Sequence, residues 1–306
     1  MSKIDIVVGG QFGSEGKGKA AYALAMSSVH KCVARIGGSN SGHTVIGNIL
    51  RHLPAAALIP NGISIIGSGS YIDVDILLAE TKKFKPFLLI DNKAHIIQYA
   101  EPKKLFSAIG STLSGTGQAV KDRITRLGNA KSVATAKKLS NYLTTSAVIQ
   151  DTIKKGCIIE GTQGFGLSVL HSPYYPYVTS RDTTASGFIS ELGVSPKNVG
   201  KIFLVIRTFP IRVGGNSGPL PNECSWKDIG VQKEYTSVTG RIRRVAKFDP
   251  EIVIEAIAYN NPTHIILNHL DYIPKLDRQT FITYVEEAIN RKINYVGLGP
   301  NIIYKI

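Results

Sequence analysis

The feature that constrains this chain most is a glycine-rich loop near its start, Gly9-Gly10-Gln11-Phe12-Gly13-Ser14-Glu15-Gly16-Lys17-Gly18-Lys19. A β-branched apolar run, Ile4 to Val8, leads into it, and a small-residue stretch suited to a helix, Ala20 to Met26, leads out. Strand, glycine loop and helix in that order present backbone N–H groups to a phosphate. The glycines let the backbone approach closely, the helix N-terminus adds partial positive charge, and Lys17 adds a full one. The spacing is not that of a standard P-loop. Five residues rather than four separate Gly10 from Gly16, and Gly18 follows Lys17 where a Ser or Thr would bind magnesium. The rest of the chain supplies further short apolar strands, at Lys31–Ile36, Ile63–Ile66, Phe87–Ile90, Cys157–Glu160, Lys201–Ile206 and His264–Leu267. Helices are expected over Asp73–Lys82, with Asp73 as N-cap, over the Ala- and Lys-rich Lys131–Leu143, and over Phe281–Ile289. The alternation predicts an α/β fold in one domain, residues 1–306. It has a largely parallel central sheet, helices on both faces and long active-site loops.

The charge balance bears on partners. A net charge of +14 fits a nucleic-acid partner or an enzyme whose ligands are all anions, and equally a merely soluble basic surface. The lysines and arginines are spread along the chain rather than gathered in a tail. No helix-turn-helix, zinc-finger or RNA-binding signature is present, so no direct contact with nucleic acid is expected. No apolar run approaches the ~18 residues that span a membrane. The chain enters a strand almost at once, with no signal-peptide plan. Cys32, Cys157 and Cys224 are odd in number and far apart in sequence, which fits reduced thiols and a cytoplasmic protein.

Five later regions carry chemistry. Gly37-Gly38-Ser39-Asn40-Ser41-Gly42-His43-Thr44 follows the second strand, where α/β folds place their sites. His43 there reads as an acid or an electrostatic stabiliser, against the alternative of a structural histidine. Gly110-Ser111-Thr112-Leu113-Ser114-Gly115-Thr116-Gly117, followed by Lys121, Arg123 and Arg126, suits a phosphomonoester or a surface loop. Glu160-Gly161-Thr162-Gln163-Gly164 and the run from Tyr174 to Thr184, with Thr179, suit hydrogen bonds to a purine nucleotide or, equally, buried polar turns. Thr239-Gly240-Arg241-Ile242-Arg243-Arg244 sets three guanidinium groups within four residues, suited to carboxylates and phosphates or to a charged solvent-facing strand. Asp271, after the strand ending at Leu267, is either an acceptor for a guanine's N–H groups or a helix cap.

Together these segments resemble the adenylosuccinate synthetase family. The family loop Gly-x-Gln-x-Gly-Asp-Glu-Gly-Lys-Gly-Lys falls on Gly9 to Lys19, and its Asn-Ala-Gly-His-Thr falls on Asn40 to Thr44. The remaining motifs follow in family order to Gly299-Pro300. The resemblance implies a P-loop-NTPase-like fold and a two-step ligation. A nucleoside triphosphate phosphorylates O6 of a 6-oxopurine nucleotide, and the α-amine of L-aspartate then displaces that phosphate at C6. It implies Lys17 and His43 as catalytic groups, with position 14 beside them. Gly13, Glu15, Gly16, Lys17, Gly18, Gly42, His43, Thr44, Asp271 and Gly299 lie on the triphosphate side. Ser14, Asn40, Ser111, Thr112, Gln163 and Thr179 surround the substrate nucleotide, and Arg126 reaches the nucleotide of a homodimer partner. Thr239, Arg241 and Arg243 receive aspartate. Mg2+ is the implied cofactor, with Ser14 and Gly42 near it.

Two departures change what the resemblance implies. The family's loop aspartate, a general base toward N1 of the purine, is Ser14 here, and a neutral hydroxyl cannot do that work near neutral pH. Serine is smaller and uncharged, and it leaves room for a 2-amino group. This points to dGMP in place of inosine monophosphate, as in the bacteriophage 2-aminoadenylosuccinate synthetase branch that serves diaminopurine DNA. The second departure is His269-Leu270-Asp271 in place of Lys-x-Asp, which opens the donor to ATP or dATP beside the family's GTP. The alternatives are a conventional adenylosuccinate synthetase and, outside ligases, a nucleotide-binding switch or DNA-binding accessory protein with a dead site.

Overall fold

The computed structural model describes residues 4–98, 109–236 and 240–306. The chain opens with β1 (Ile4–Gly9), the glycine loop, α1 (Lys17–Met26) and β2 (Cys32–Arg35). A hairpin, β3 (His43–Val45) and β4 (Asn48–Leu50), precedes β5 (Ile63–Ile66) and β6 (Tyr71–Ile72). Next come α2 (Val74–Phe84), β7 (Phe87–Asp91), β8 (His95–Ile96), α3 (Thr116–Thr125), β9 (Leu143–Thr144), α4 (Ser146–Ile153) and β10 (Cys157–Glu160). They are followed by α5 (Ala185–Leu192), β11 (Val199–Arg207) and the small-sheet strands β12 (Ile211–Arg212), β13 (Glu223–Cys224) and β14 (Arg244–Ala246). The chain closes with α6 (Glu251–Asn260), β15 (His264–Asn268), α7 (Arg278–Ile289), β16 (Tyr295–Leu298) and β17 (Ile302–Lys305).

Ten strands form one sheet in the order β17-β16-β15-β11-β1-β10-β2-β5-β7-β9, parallel except for β17. Side chains alternate across it with period two. Ile4, Ile6 and Val8 of β1 and Leu204 and Ile206 of β11 join a core with α4, α5, α6 and α7. Val7, Phe203 and Val205 turn the other way and meet α1, α2 and the short turns around Ala55. Both faces are covered, as a mainly parallel sheet requires. Because the strands run one way, the segments after β1, β2, β10, β11, β15 and β16 leave at a common edge, and the cleft forms there.

One expected element differs. Lys131–Leu143 is not an α-helix. It makes two short 3₁₀ turns, Val133–Thr135 and Lys137–Tyr142, and then enters β9. Val133 and Leu139 are fully buried, and the backbone bonds Val133 N to Ala94 O and Ile96 N to Lys131 O. Tertiary pairing overrides a weak helical preference. Helix α2 has the expected Asp73 cap, whose carboxylate accepts from Ile76 N at 3.2 Å. The last helix starts earlier than its apolar pattern indicates, at Arg278. Cys32 and Cys157, far apart in sequence, lie side by side on β2 and β10 as free thiols, Sγ to Sγ 2.9 Å. Among the described residues no helix is long and apolar enough to cross a membrane.

Candidate active site

The glycine loop is braced from inside. Glu15 is fully buried; its Oε1 accepts from Gln11 N at 3.2 Å and Gly13 N at 2.8 Å, and its Oε2 lies 2.6 Å from Lys17 Nζ. The expected triphosphate role of Glu15 is therefore not open to its side chain, which serves the loop itself. Gln11 ties the loop to the end of β11, donating to Arg207 O at 3.1 Å and accepting from Arg207 N at 2.9 Å. Asn268 donates to Glu15 O at 2.7 Å. Gly16 has φ 91°, and a Cβ there would stand 2.6 Å from Asn268 Nδ2, so only glycine fits. Helix α1 has no side-chain N-cap and no acidic residue in its first turn, which leaves its first N–H groups suited to an anion.

His43 packs directly onto α1. A Cβ at Gly18 would stand 2.3 Å from His43 Nδ1, so the glycine after Lys17 makes room for the imidazole. Glu160, fully buried at the end of β10, gathers this part of the site. Its Oε1 lies 2.6 Å from both Arg35 Nη1 and His43 Nδ1, and its Oε2 accepts from Ala55 N at 2.9 Å. Burial alone would raise the Glu160 pKa. The charges of His43 and Arg35 and the Ala55 N–H reverse that and hold it at about 2. Arg35 Nη2 donates to Ser41 O at 2.6 Å, and His43 Nε2 sits 3.1 Å from Leu53 O.

Ser14 is held at φ 58° by two arginines. Arg207 donates to its carbonyl at 3.1 Å, and Arg243 donates to its Oγ at 2.7 Å. Glu234 organises this pair. It makes an ion pair with Arg207 and accepts from Tyr272 OH at 3.0 Å, while its carbonyl accepts from Arg243 N at 2.9 Å. Burial pushes the Glu234 carboxyl up, and the Arg207 guanidinium outweighs burial and brings it to about 2. His269 lines the cleft near this group. Burial, with the Arg207 charge beside it, drives its pKa well down, so its ring is neutral at pH 7.

The cleft has a volume of about 710 Å³ and brings together most of the expected residues. Gly13, Ser14, Gly16, Lys17, Gly18, Asn40, Gly42, His43, Thr44, Ser111, Thr112, Gln163, Thr179, Arg243 and Gly299 all line it. Beside Ser111, the Thr112, Ser114 and Thr116 hydroxyls form a chain with 3.2 Å links at the uncapped start of α3. At the other end Lys19 donates to Gly299 O at 2.9 Å, and Gly299 N donates to Asp271 Oδ1 at 2.8 Å. Burial lowers Lys19 to about 8, with Asp271 opposing.

Some expected residues lie elsewhere. Arg241 is exposed and outside the lining, as is Arg126 at the end of α3. Asp271 does not line the cleft itself; its Oδ1 accepts from Gly299 N, and its charge acts on Lys19, two residues that do. Arg244, the third of the arginine cluster, turns away to Glu223, with Nη2 2.5 Å from Oε2. Thr239 lies outside the described residues. Sequence reasoning missed Arg35, Glu160, Arg207 and Glu234. A charged residue closing an apolar strand was the available signal for the first three.

The donors present do not make a resident cation site. Ser14 Oγ faces a guanidinium, Glu15 and Glu160 are committed to other partners, and no three His, Cys, Asp or Glu side chains group around a point among the described residues.

A phosphate loop at a parallel-sheet edge, with a hydroxyl-lined helix start and buried arginines around one cleft, defines a nucleotide-handling α/β enzyme. Comparison with known proteins gives the family. A model of the adenylosuccinate synthetase family matches residues 6–131 and 129–279. The adenylosuccinate synthetase of Thermococcus onnurineus is 36% identical, over 98% of this chain and 97% of that one. That of Pyrococcus horikoshii is 34% identical over 97% and 96%. Among solved structures, the cyanophage S-2L succinoaminodeoxyadenylate synthetase bound to dGMP and dATP superposes with a TM-score of 0.89 at 30% identity, covering 100% of this chain and 95% of that one. The fully ligated Plasmodium falciparum adenylosuccinate synthetase gives 0.87 at 22% identity and supports the fold, covering 98% of each chain. The chain belongs to the adenylosuccinate synthetase family, a family of carbon–nitrogen ligases.

Proposed function

We propose that this ligase joins L-aspartate to C6 of dGMP, through a 6-phosphoryl intermediate, with a purine triphosphate as donor. The product is the N6-succinyl form of 2-amino-2′-deoxyadenylate, a precursor of diaminopurine DNA. The observation that carries the reading is Ser14, a small hydroxyl held by Arg243 at 2.7 Å where the family motif has a carboxylate. An uncharged group there accommodates a 2-amino substituent, and a Ser Oγ with one lone pair on Arg243 keeps the other for an amine N–H. The cyanophage relative, bound to dGMP, lends support from outside the chain.

In this reading Lys17 and the N–H groups of the loop and of α1 stabilise charge on the transferring phosphoryl group. His43, leaving Leu53 O, assists at O6. Asn40, Ser111, Thr112, Gln163 and Thr179 orient the nucleotide, and Arg241, Arg243 and Thr239 take the aspartate carboxylates. Mg2+ enters with the triphosphate. The His269 ring in place of lysine, and the Asp271 oxygen committed to Gly299 N, favour ATP or dATP over GTP. Arg126, exposed beside Ile124 (68% exposed) and Leu127 (76% exposed), fits a homodimer in which it reaches the neighbouring site. We read the enzyme as a cytoplasmic single-domain protein.

A second reading, IMP as substrate, draws on the archaeal relatives, which are adenylosuccinate synthetases. Phosphate release measured with IMP, GMP and dGMP crossed with ATP, dATP and GTP separates the two. Release requiring dGMP, aspartate and a triphosphate together is expected. Release with IMP alone of the three monophosphates overturns the dGMP assignment.

A further inference from the structure

Lysines scattered along the sequence are gathered in space. Every parallel strand of the sheet begins at the pole opposite the cleft, and five of the nine carry a cation at that start among the described residues. In sheet order, after Lys305 at the end of antiparallel β17, these are Lys292 ahead of β16, Lys201 on β11, Lys155 ahead of β10, Lys31 ahead of β2 and Lys85 ahead of β7. All are exposed except Lys31, which is half-buried. At ~4.8 Å per strand they mark a stripe about 40 Å long. It is continuous across β15, where the charges of Lys201 and Lys305 both act on His264.

The acids at this pole offset it only in part, taking Lys292 but, among the described residues, none of the other five stripe lysines. Asp5 Oδ1 accepts from Lys201 N at 2.8 Å, Asp151 pairs with Lys154 at 3.7 Å, and Glu286 pairs with Lys292 at 2.6 Å. Helix dipoles account for one cation at each helix C-terminus. They do not account for the doubled Lys82-Lys83 and Lys154-Lys155, nor for Lys201 and Lys305, which sit on strands.

We propose that this stripe is a sequence-independent docking surface for the backbone of duplex nucleic acid. A linear row of point charges matches a linear row of phosphates, and 40 Å spans about 12 base pairs at 3.4 Å each. Among the described residues, exposed aromatics stand only at its ends, Phe87 at β7 and Tyr304 at β17, so it offers no ladder on which the bases of a single strand stack. The cleft, at the opposite pole, stays open. The proposal sets aside the expectation drawn from the scattered sequence, and it holds whichever monophosphate the ligase uses.

The test is fluorescence anisotropy of a labelled 24-base-pair duplex with the full chain, across salt concentrations. Binding is expected with log K falling by about 4–6 per log unit of salt, and excess dGMP and ATP do not displace the duplex. The variant Lys85→Gln/Lys155→Gln/Lys201→Gln/Lys305→Gln is expected to bind at least tenfold more weakly and to flatten the slope by about 3. Its melting temperature and phosphate-release activity stay those of the parent. The proposal is overturned by no saturable binding at 50 mM salt, by displacement with mononucleotides, or by a quadruple variant that binds as the parent does. Equal affinity for a poly(dT) strand, or binding to phosphatidylserine vesicles but not to the duplex, overturns it as well.

Discussion

The two halves of the cleft use the same device to different ends. At one, Glu160 pairs with Arg35 and sets His43; at the other, Glu234 pairs with Arg207 and, through the backbone of Arg243, sets Ser14. Both carboxyls are held at about 2 against the opposing effect of burial, Glu160 by the charges of His43 and Arg35 and Glu234 by that of Arg207. The difference is in the scaffold. Glu160 is fully buried on a central strand, whereas Glu234 lies between strands, its side chain 22% exposed. We take the histidine set from the sheet as the more rigid element and the serine set in part from a connecting segment as the more adjustable one. On the proposed reading, charge at the 6-oxygen is handled by the half set from the sheet and the choice of purine by the other.

The sharpest way to break this division is His43→Ala. Turnover is expected to fall about 10²–10⁴-fold, the range for a lost acid–base group, with dGMP affinity retained. Unchanged turnover by phosphate release removes His43 from the chemistry. Next come the paired variants Glu160→Gln and Glu234→Gln. Glu160→Gln leaves Arg35 buried without its charge partner and is expected to cost about 3–5 kcal/mol of stability. It also lowers kcat about 10–100-fold, the scale of a lost orienting partner. Glu234→Gln is expected to cost less, about 1–3 kcal/mol, and to act on KM for the monophosphate and aspartate more than on kcat. Equal effects of the two on kcat, by steady-state kinetics and urea unfolding, would dissolve the distinction.

Ser14→Asp probes the adjustable half alone. A carboxylate 2.7 Å from the Arg243 guanidinium keeps its partner and crowds the 2-amino position. The dGMP-over-IMP ratio of kcat/KM is expected to fall about 10–100-fold. A ratio left unaltered refutes the account of Ser14.

What the sequence made legible follows this same split. The glycine loop, the Asn40–Thr44 motif and the strand order around them were readable because strand–loop–helix patterning is local. Glu160 stood inside a quoted motif, yet its function depends on Arg35 and His43, over a hundred residues away and joined to it only by β10 pairing with β2. Glu234 sits between Lys233 and Tyr235 and reads as a solvated charge until Arg207 arrives from another strand. Lys131–Leu143 failed for a related reason: helical propensity there yields to pairing with the edge around β8. The lysine stripe is visible only once the parallel sheet places every strand start at one pole.

The smallest effect tests what supports the rigid half. His52 is buried, and its Nε2 accepts from Asp73 N at 3.0 Å. It thereby anchors the segment that offers Leu53 O to His43 and Ala55 N to Glu160. Burial drives its pKa from 6.5 to about 3; Asp73 opposes this, while Arg35 and Arg51 reinforce it. A histidine depressed in the folded state contributes stability above its unfolded pKa, and that stability is lost as pH falls toward the folded value. Between pH 6.5 and pH 5 the loss is about 2 kcal/mol, at 1.36 kcal/mol per pH unit. Urea midpoints for the parent are expected to drop over that window. His52→Gln, whose amide oxygen still accepts from Asp73 N but cannot be protonated, should show a flatter profile. Parallel profiles for the two proteins would mean that acid loosens the His43 half at some other group.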